Sequence, residues 1–185
     1  MTPLANTVER YGSIAMLLHW GMAALLIVLL GTGLYMVQLP DVGFDTWKIT
    51  VILVHKALGM GALFAVGVRL LWRWVNLLPR LVDGLPEWQQ VAARFVHLAF
   101  YALMFAVPLS GWILNSAGGY PLTFFGAFEI PDLVTNNEFV FHLFIDVHRW
   151  LAYALLLFLL LHAGAALRHH LQLRDDTLRR MLPGA

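Results

Sequence analysis

Cysteine is absent from the 185 residues, and charge is scarce, with 12 Lys plus Arg against 11 Asp plus Glu. The first absence excludes disulfides, iron–sulfur clusters and thioether-linked c-type haem as products of this chain. Any metal it holds is bound by nitrogen, oxygen or methionine sulfur. The second absence, with 60% hydrophobic residues and a mean hydropathy of +0.73, takes the chain out of the range of a soluble domain. A net charge of +1 with no basic stripe excludes a nucleic-acid-binding surface. There is no linker, composition shift or internal repeat, so residues 1–185 read as a single membrane domain.

What is present is apolar sequence in four windows, each near the roughly 20 residues that a spanning helix needs. They cover about 14–37, 49–74, 95–114 and 147–167. The first is longer than the apolar core of a signal peptide, contains a histidine and lacks a small-residue cleavage site, so it is expected to stay in the mature chain. The predicted fold class is an all-α integral membrane protein, a four-transmembrane-helix bundle.

Basic residues near span ends set orientation. Arg10, Arg69, Arg73, Arg80, Arg94, Arg168, Arg174, Arg179 and Arg180 fall on one side, and only Lys48, Lys56 and Arg149 on the other. That asymmetry predicts a bacterial inner-membrane protein with both termini cytoplasmic and the long loop, about 115–146, in the periplasm. Asp41, Asp45, Glu129, Asp132, Glu138 and Asp146 make this outer side acidic. Phe124, Phe125, Phe128, Phe139, Phe141 and Phe144 make the long loop aromatic, as expected of a segment resting at the bilayer interface. Pro108 interrupts the third span, which fits either ordinary membrane-helix geometry or room for a flat ligand.

Histidines within spans carry the chemistry, because an ionisable side chain in lipid is costly and marks function. His148 and His162 are 14 residues apart on the fourth span, four turns on one face and roughly 21 Å along the axis. His19 lies at a depth near that of His162, and His55 near that of His148. The sequence therefore supplies one imidazole pair per leaflet, each pair drawn from two helices. That is what a haem iron ligated on both axial faces requires. Two b-type haems held by His19, His55, His148 and His162 would carry electrons across the bilayer.

Other readings are weaker. One intramembrane histidine often only hydrogen-bonds a neighbour, but four at paired depths are harder to explain so. Zinc or copper lacks a compact ligand cluster, and a proton relay lacks acidic residues within the spans. Spacing leaves His97 open as an alternative to His19 or His162, and leaves His142 open near the outer pair. His169 follows His162 by seven residues at the cytoplasmic surface, where it suits contact with a quinone carbonyl. Lys56 and Arg149 each follow an outer histidine directly and suit propionate pairing, pairing with nearby acids, or attraction of a small anion.

Four patches, in order along the chain, resemble the bacterial cytochrome b561 family, whose members include superoxide oxidases. They are Arg10-Tyr11 with His19-Trp20; His55 with Gly59 and Arg69-Leu70 to Trp72-Arg73; His97 with Tyr101, Met104, Pro108 and Gly111-Trp112; and His148, His162 and His169-His170 with Asp175 to Met181. The resemblance implies a dihaem membrane cytochrome with His19, His55, His148 and His162 as the axial, metal-binding ligands. It also implies ubiquinone as electron acceptor on the cytoplasmic side and, for the superoxide oxidase members, superoxide as the periplasmic donor, making a superoxide:ubiquinone oxidoreductase. The competing expectation is an electron-transfer subunit that relays electrons to or from a protein partner without a small-molecule substrate of its own.

Overall fold

A computed structural model describes residues 3–40, 45–80, 82 and 84–183. Four long apolar helices account for most of it: α1 (Ser13–Met36), α2 (Thr46–Val75), α3 (Glu87–Ala117) and α4 (Glu138–Arg168). Each is long and apolar enough to cross a bilayer. Their outward faces carry exposed Leu17, Ile27, Phe64, Leu71 and Leu160. Such faces are stable only against lipid, and the helical backbone satisfies its own hydrogen bonds there.

The cores of the four spans lie where hydropathy places them, but two helices begin well before their apolar windows. The third starts at Glu87 rather than near residue 95, and the fourth at Glu138 rather than near 147. Backbone hydrogen bonding continues past the hydrocarbon layer, and Asn137 starts α4 by accepting from the backbone N–H of Val140 at 3.1 Å. Phe139, Phe141 and Phe144 therefore stand on α4, and the loop between α3 and α4 is shorter than expected. Asp45 caps α2 in the same way, accepting from Trp47 and Lys48. Asp41 lies outside the described residues.

The helices pack as a ring with one open seam. The most extensive contact is α3 on α4, followed by α1 on α2 and α2 on α3, with contact between α1 and α4 marginal at most. Met22 and Leu26 from α1, Val66 from α2, Phe100 and Met104 from α3 and Leu155 from α4 form a small core at mid-depth. Beyond it the bundle opens, so the space beside α1 and α4 is cavity rather than helix contact.

At one end of the bundle the α3–α4 connection folds into a short hairpin, β1 (Thr123–Phe124) antiparallel to β2 (Phe128–Glu129). Phe125 and Gly126 make its tight turn with positive φ. Trp112 on α3 donates to the Pro131 carbonyl at 2.9 Å and ties this connection down. At the opposite end both termini and the α2–α3 connection are laced together. Asn6 donates to the Leu77 carbonyl, Arg80 N–H to Val8, Arg180 to the Arg80 carbonyl, and Trp20 to the Met181 carbonyl.

Two imidazole pairs and their surroundings

At the hairpin end, His55 from α2 and His148 from α4 face each other with ring centroids 6.4 Å apart. At the terminal end, His19 from α1 and His162 from α4 stand 6.2 Å apart. The four histidines singled out from spacing thus meet in the expected twos, one pair toward each end. Imidazole nitrogens sit about 2 Å from a bound transition metal, which puts the centroids of two rings sharing one ion about 6 Å apart.

Each ring at the hairpin end is seated by a neighbouring helix in the same manner. The Thr32 hydroxyl lies 3.1 Å from His55 Nδ1, and the Ser110 hydroxyl 3.0 Å from His148 Nδ1. Both hydroxyls donate to carbonyls of their own helices, Thr32 to Val28 at 2.8 Å and Ser110 to Val107 at 2.7 Å. Each is therefore left to accept from the ring, so that Nδ1 carries the proton and Nε2 keeps a free lone pair. The Val107 carbonyl is a second acceptor for His148, at 3.0 Å. A glycine follows each hydroxyl residue. A Cβ on Gly33 would lie 3.3 Å from His55 Cε1, and one on Gly111 3.1 Å from His148 Cε1. Only glycine lets the rings approach so closely.

Two apolar cavities, about 460 and 710 Å³, flank this pair, and both imidazoles line both of them. Leu26, Leu155 and Arg149 wall the first, and Lys56, Trp112 and Tyr120 the second. These volumes are those of small-molecule and cofactor sites. Two opposed nitrogen donors, seats with room for no Cβ, and apolar space on both sides suit a flat, iron-bearing macrocycle. Pro108 borders both cavities, which favours the reading of room for a ligand at that position.

The pair at the terminal end is seated differently. A guanidinium nitrogen of Arg69 lies 2.9 Å from His19 Nδ1, and a guanidinium can only donate. His97 joins this group, its ring 5.7 Å from that of His162. His97, which spacing left open, is therefore spatially part of the terminal-end cluster. His142 is not part of the hairpin-end one: it stands on α4 with 68% of its side chain exposed, 3.9 Å from Glu138.

The two cations that directly follow hairpin-end histidines separate in role. Arg149 pairs with Asp146 at 3.1 Å on an exposed surface, which is the reading in which it serves a nearby acid. Lys56 meets no carboxylate among the described residues and lies 5.2 Å from the centre of the Tyr120 ring, a cation–π contact at the edge of the larger cavity.

His169 departs from simple helical register. A π turn over His169–Leu173 ends α4, and Arg174 in the left-handed region turns the chain back, which returns Asp175 to within 2.5 Å of His169 Nδ1. Nothing in the heptad-like spacing of His169 signals this return. Burial pushes the Asp175 carboxyl up, but hydrogen bonds from His169 and Thr177 more than offset it and hold it below the usual carboxylate range. Since the folded value is the lower one, the contact contributes fully above the ordinary value of about 4 and is lost as pH falls through the depressed one. Asp175→Asn should loosen the C-terminal segment by about 1 kcal/mol, roughly a fivefold gain in opening. Tryptic cleavage at Arg179 and Arg180 in detergent at neutral pH would read this, and an unchanged rate would contradict it.

Four spanning helices with paired imidazoles define a membrane cytochrome by architecture and donor set, and comparison with known proteins agrees. The family model described as prokaryotic cytochrome b561 matches residues 10–184. The chain is 34% identical over 177 residues to cytochrome b561 homolog 2 of Escherichia coli (strain K12), covering 96% of this chain and 93% of that protein. It is 36% identical over 105 residues to cytochrome b561 homolog 1 of the same organism, covering 57% and 59%. It is 25% identical over 175 residues to the probable superoxide oxidase CybB of Yersinia pestis, covering 95% and 97%. The chain belongs to the prokaryotic cytochrome b561 family, a family of multi-pass membrane electron-transfer proteins with b-type haem.

Proposed function

We propose that this chain is a dihaem transmembrane oxidoreductase that takes electrons from superoxide at its hairpin end and delivers them to ubiquinone at its terminal end. The observation that carries the reading is the meeting of four intramembrane imidazoles in two opposed pairs, His55 with His148 and His19 with His162. Haem b held at each pair supplies one-electron redox chemistry. In this reading the protein positions two such centres on α4 and keeps water from them with apolar walls. The balance is simple: two superoxide anions lose one electron each and become dioxygen, and ubiquinone gains two electrons and two protons.

The residues divide accordingly. His19, His55, His148 and His162 would hold the haem irons, His19 once its Nδ1 is released from Arg69, with His97 packed beside the inner pair. His148→Ala should remove or loosen the outer haem and His162→Ala the inner one, read as separate losses in the reduced absorption spectrum. Damage to the same haem by both substitutions would refute the assignment to two depths.

His169, whose Nδ1 donates to Asp175, is the proposed quinone contact at the cytoplasmic surface, its Nε2 lone pair accepting from a quinol hydroxyl. Lys56 draws an anionic donor toward the larger cavity, which it lines together with Lys48, on a rim that otherwise carries Glu129, Asp132, Glu138 and Asp146 with its partner Arg149. The basic residues near the terminal end support an orientation with both termini in the cytoplasm of a bacterial cell and the hairpin in the periplasm. Superoxide is supported by the similarity to the probable superoxide oxidase CybB of Yersinia pestis, and ubiquinone by the family resemblance.

The acidic hairpin rim favours a second reading, in which a basic protein partner docks there and exchanges electrons directly. Sealed vesicles separate the two. Superoxide mixed at the hairpin face should reduce the bound haem on the millisecond scale, and superoxide confined to the terminal face should not. Lys56→Gln should slow that reduction severalfold, more at low than at high ionic strength. No reduction from either face would leave only the relay to a protein partner.

A further inference from the structure

From the matched surroundings of His55 and His148 we infer that two hydroxyl–glycine seats, Thr32-Gly33 on α1 and Ser110-Gly111 on α3, hold down the reduction potential of the outer haem alone. This rests on the dihaem reading above. The two seats lie on different helices and serve imidazoles on two others, yet they present the same chemistry. Each offers a hydroxyl within 3.1 Å of Nδ1, already donating to its own helix backbone, and then a residue without a Cβ where the ring passes.

The physical consequence follows from what an acceptor at Nδ1–H does to the opposite nitrogen. A metal-bound imidazole that donates its second N–H becomes a more basic ligand, and a more basic ligand favours the oxidised metal. Both outer ligands are treated in this way, and His148 twice over, through Ser110 and the Val107 carbonyl. Among the described residues the terminal-end pair has no such hydroxyl. His19 meets the donor-only Arg69 instead, and no acceptor approaches the His162 ring nitrogens among the described residues. The two sites are therefore unlike in their surroundings, and Thr32 and Ser110 act as positioning residues on one of them.

The glycines supply the other half of the device. With a Cβ at 3.3 or 3.1 Å from Cε1, either the ring or the helix has to give way, and the hydroxyl would no longer meet Nδ1. Thr32→Val and Ser110→Ala remove the hydroxyl acceptors at nearly constant shape, leaving the Val107 carbonyl to His148, whereas Gly111→Ala disturbs the approach and leaves the hydroxyl.

The test is spectroelectrochemistry of the purified full-length protein with its haem, comparing parent, Thr32→Val/Ser110→Ala and the hydroxyl-keeping Thr32→Ser/Ser110→Thr. The centre that disappears in His148→Ala identifies the outer potential. In Thr32→Val/Ser110→Ala that potential should move upward while the other stays, and in Thr32→Ser/Ser110→Thr both should match the parent. Gly111→Ala should reduce the amount of the outer centre retained through purification. Two centres in the parent, with the outer potential unmoved or lowered in Thr32→Val/Ser110→Ala, would overturn the seats while leaving the dihaem reading intact. An upward move of both potentials together would overturn them too, because the effect would then not belong to the outer pair. A parent with a single b-type centre would overturn the dihaem reading, and the seats with it.

Discussion

The cost of placing an imidazole among apolar helices governs this structure. A polar ring in lipid is tolerated when something uses its nitrogens. Here four rings on three helices are brought together in two pairs with centroids 6.2 and 6.4 Å apart. The packing follows from that requirement. A core of six side chains at mid-depth separates the pairs, and the seam between α1 and α4 stays open where a closely packed bundle would close it. A bundle without a cofactor gains nothing from such a gap, since voids forfeit the dispersion contacts that hold membrane helices together.

The two ends of the molecule solve different problems. At the hairpin end the pair lies between cavities, beside a lysine that meets no carboxylate among the described residues, under a loop held by Trp112. At the terminal end three histidines and Arg69 crowd together, and Trp20 beside His19 ties α1 to the C-terminal segment at Met181. That difference suits a conductor with a distinct entrance and exit.

Much of this was legible in the sequence. The four spans follow from hydropathy because lipid penalises charge along the whole crossing. The pairing of His55 with His148 and His19 with His162 follows from helix rise and from which end of each span a histidine occupies. The helix ends of α3 and α4 were not legible, because backbone bonding persists into the interface where composition turns polar. The seats were hidden as well: Thr32-Gly33 and Ser110-Gly111 read as ordinary small residues in a membrane helix until the facing helix is known. So was the return of Asp175 to His169, which depends on a left-handed residue at Arg174, an unusual conformation for arginine. The position of His97 depended on the rotation of α3 about its axis, and spacing within one helix does not fix that.

The most direct measurement is the haem content of the purified chain, from its reduced b-type absorption set against protein concentration. Four imidazoles used in twos predict two haems for each chain. A preparation saturating at one haem, or remaining colourless under ample haem supply, would contradict the claim on which the rest depends.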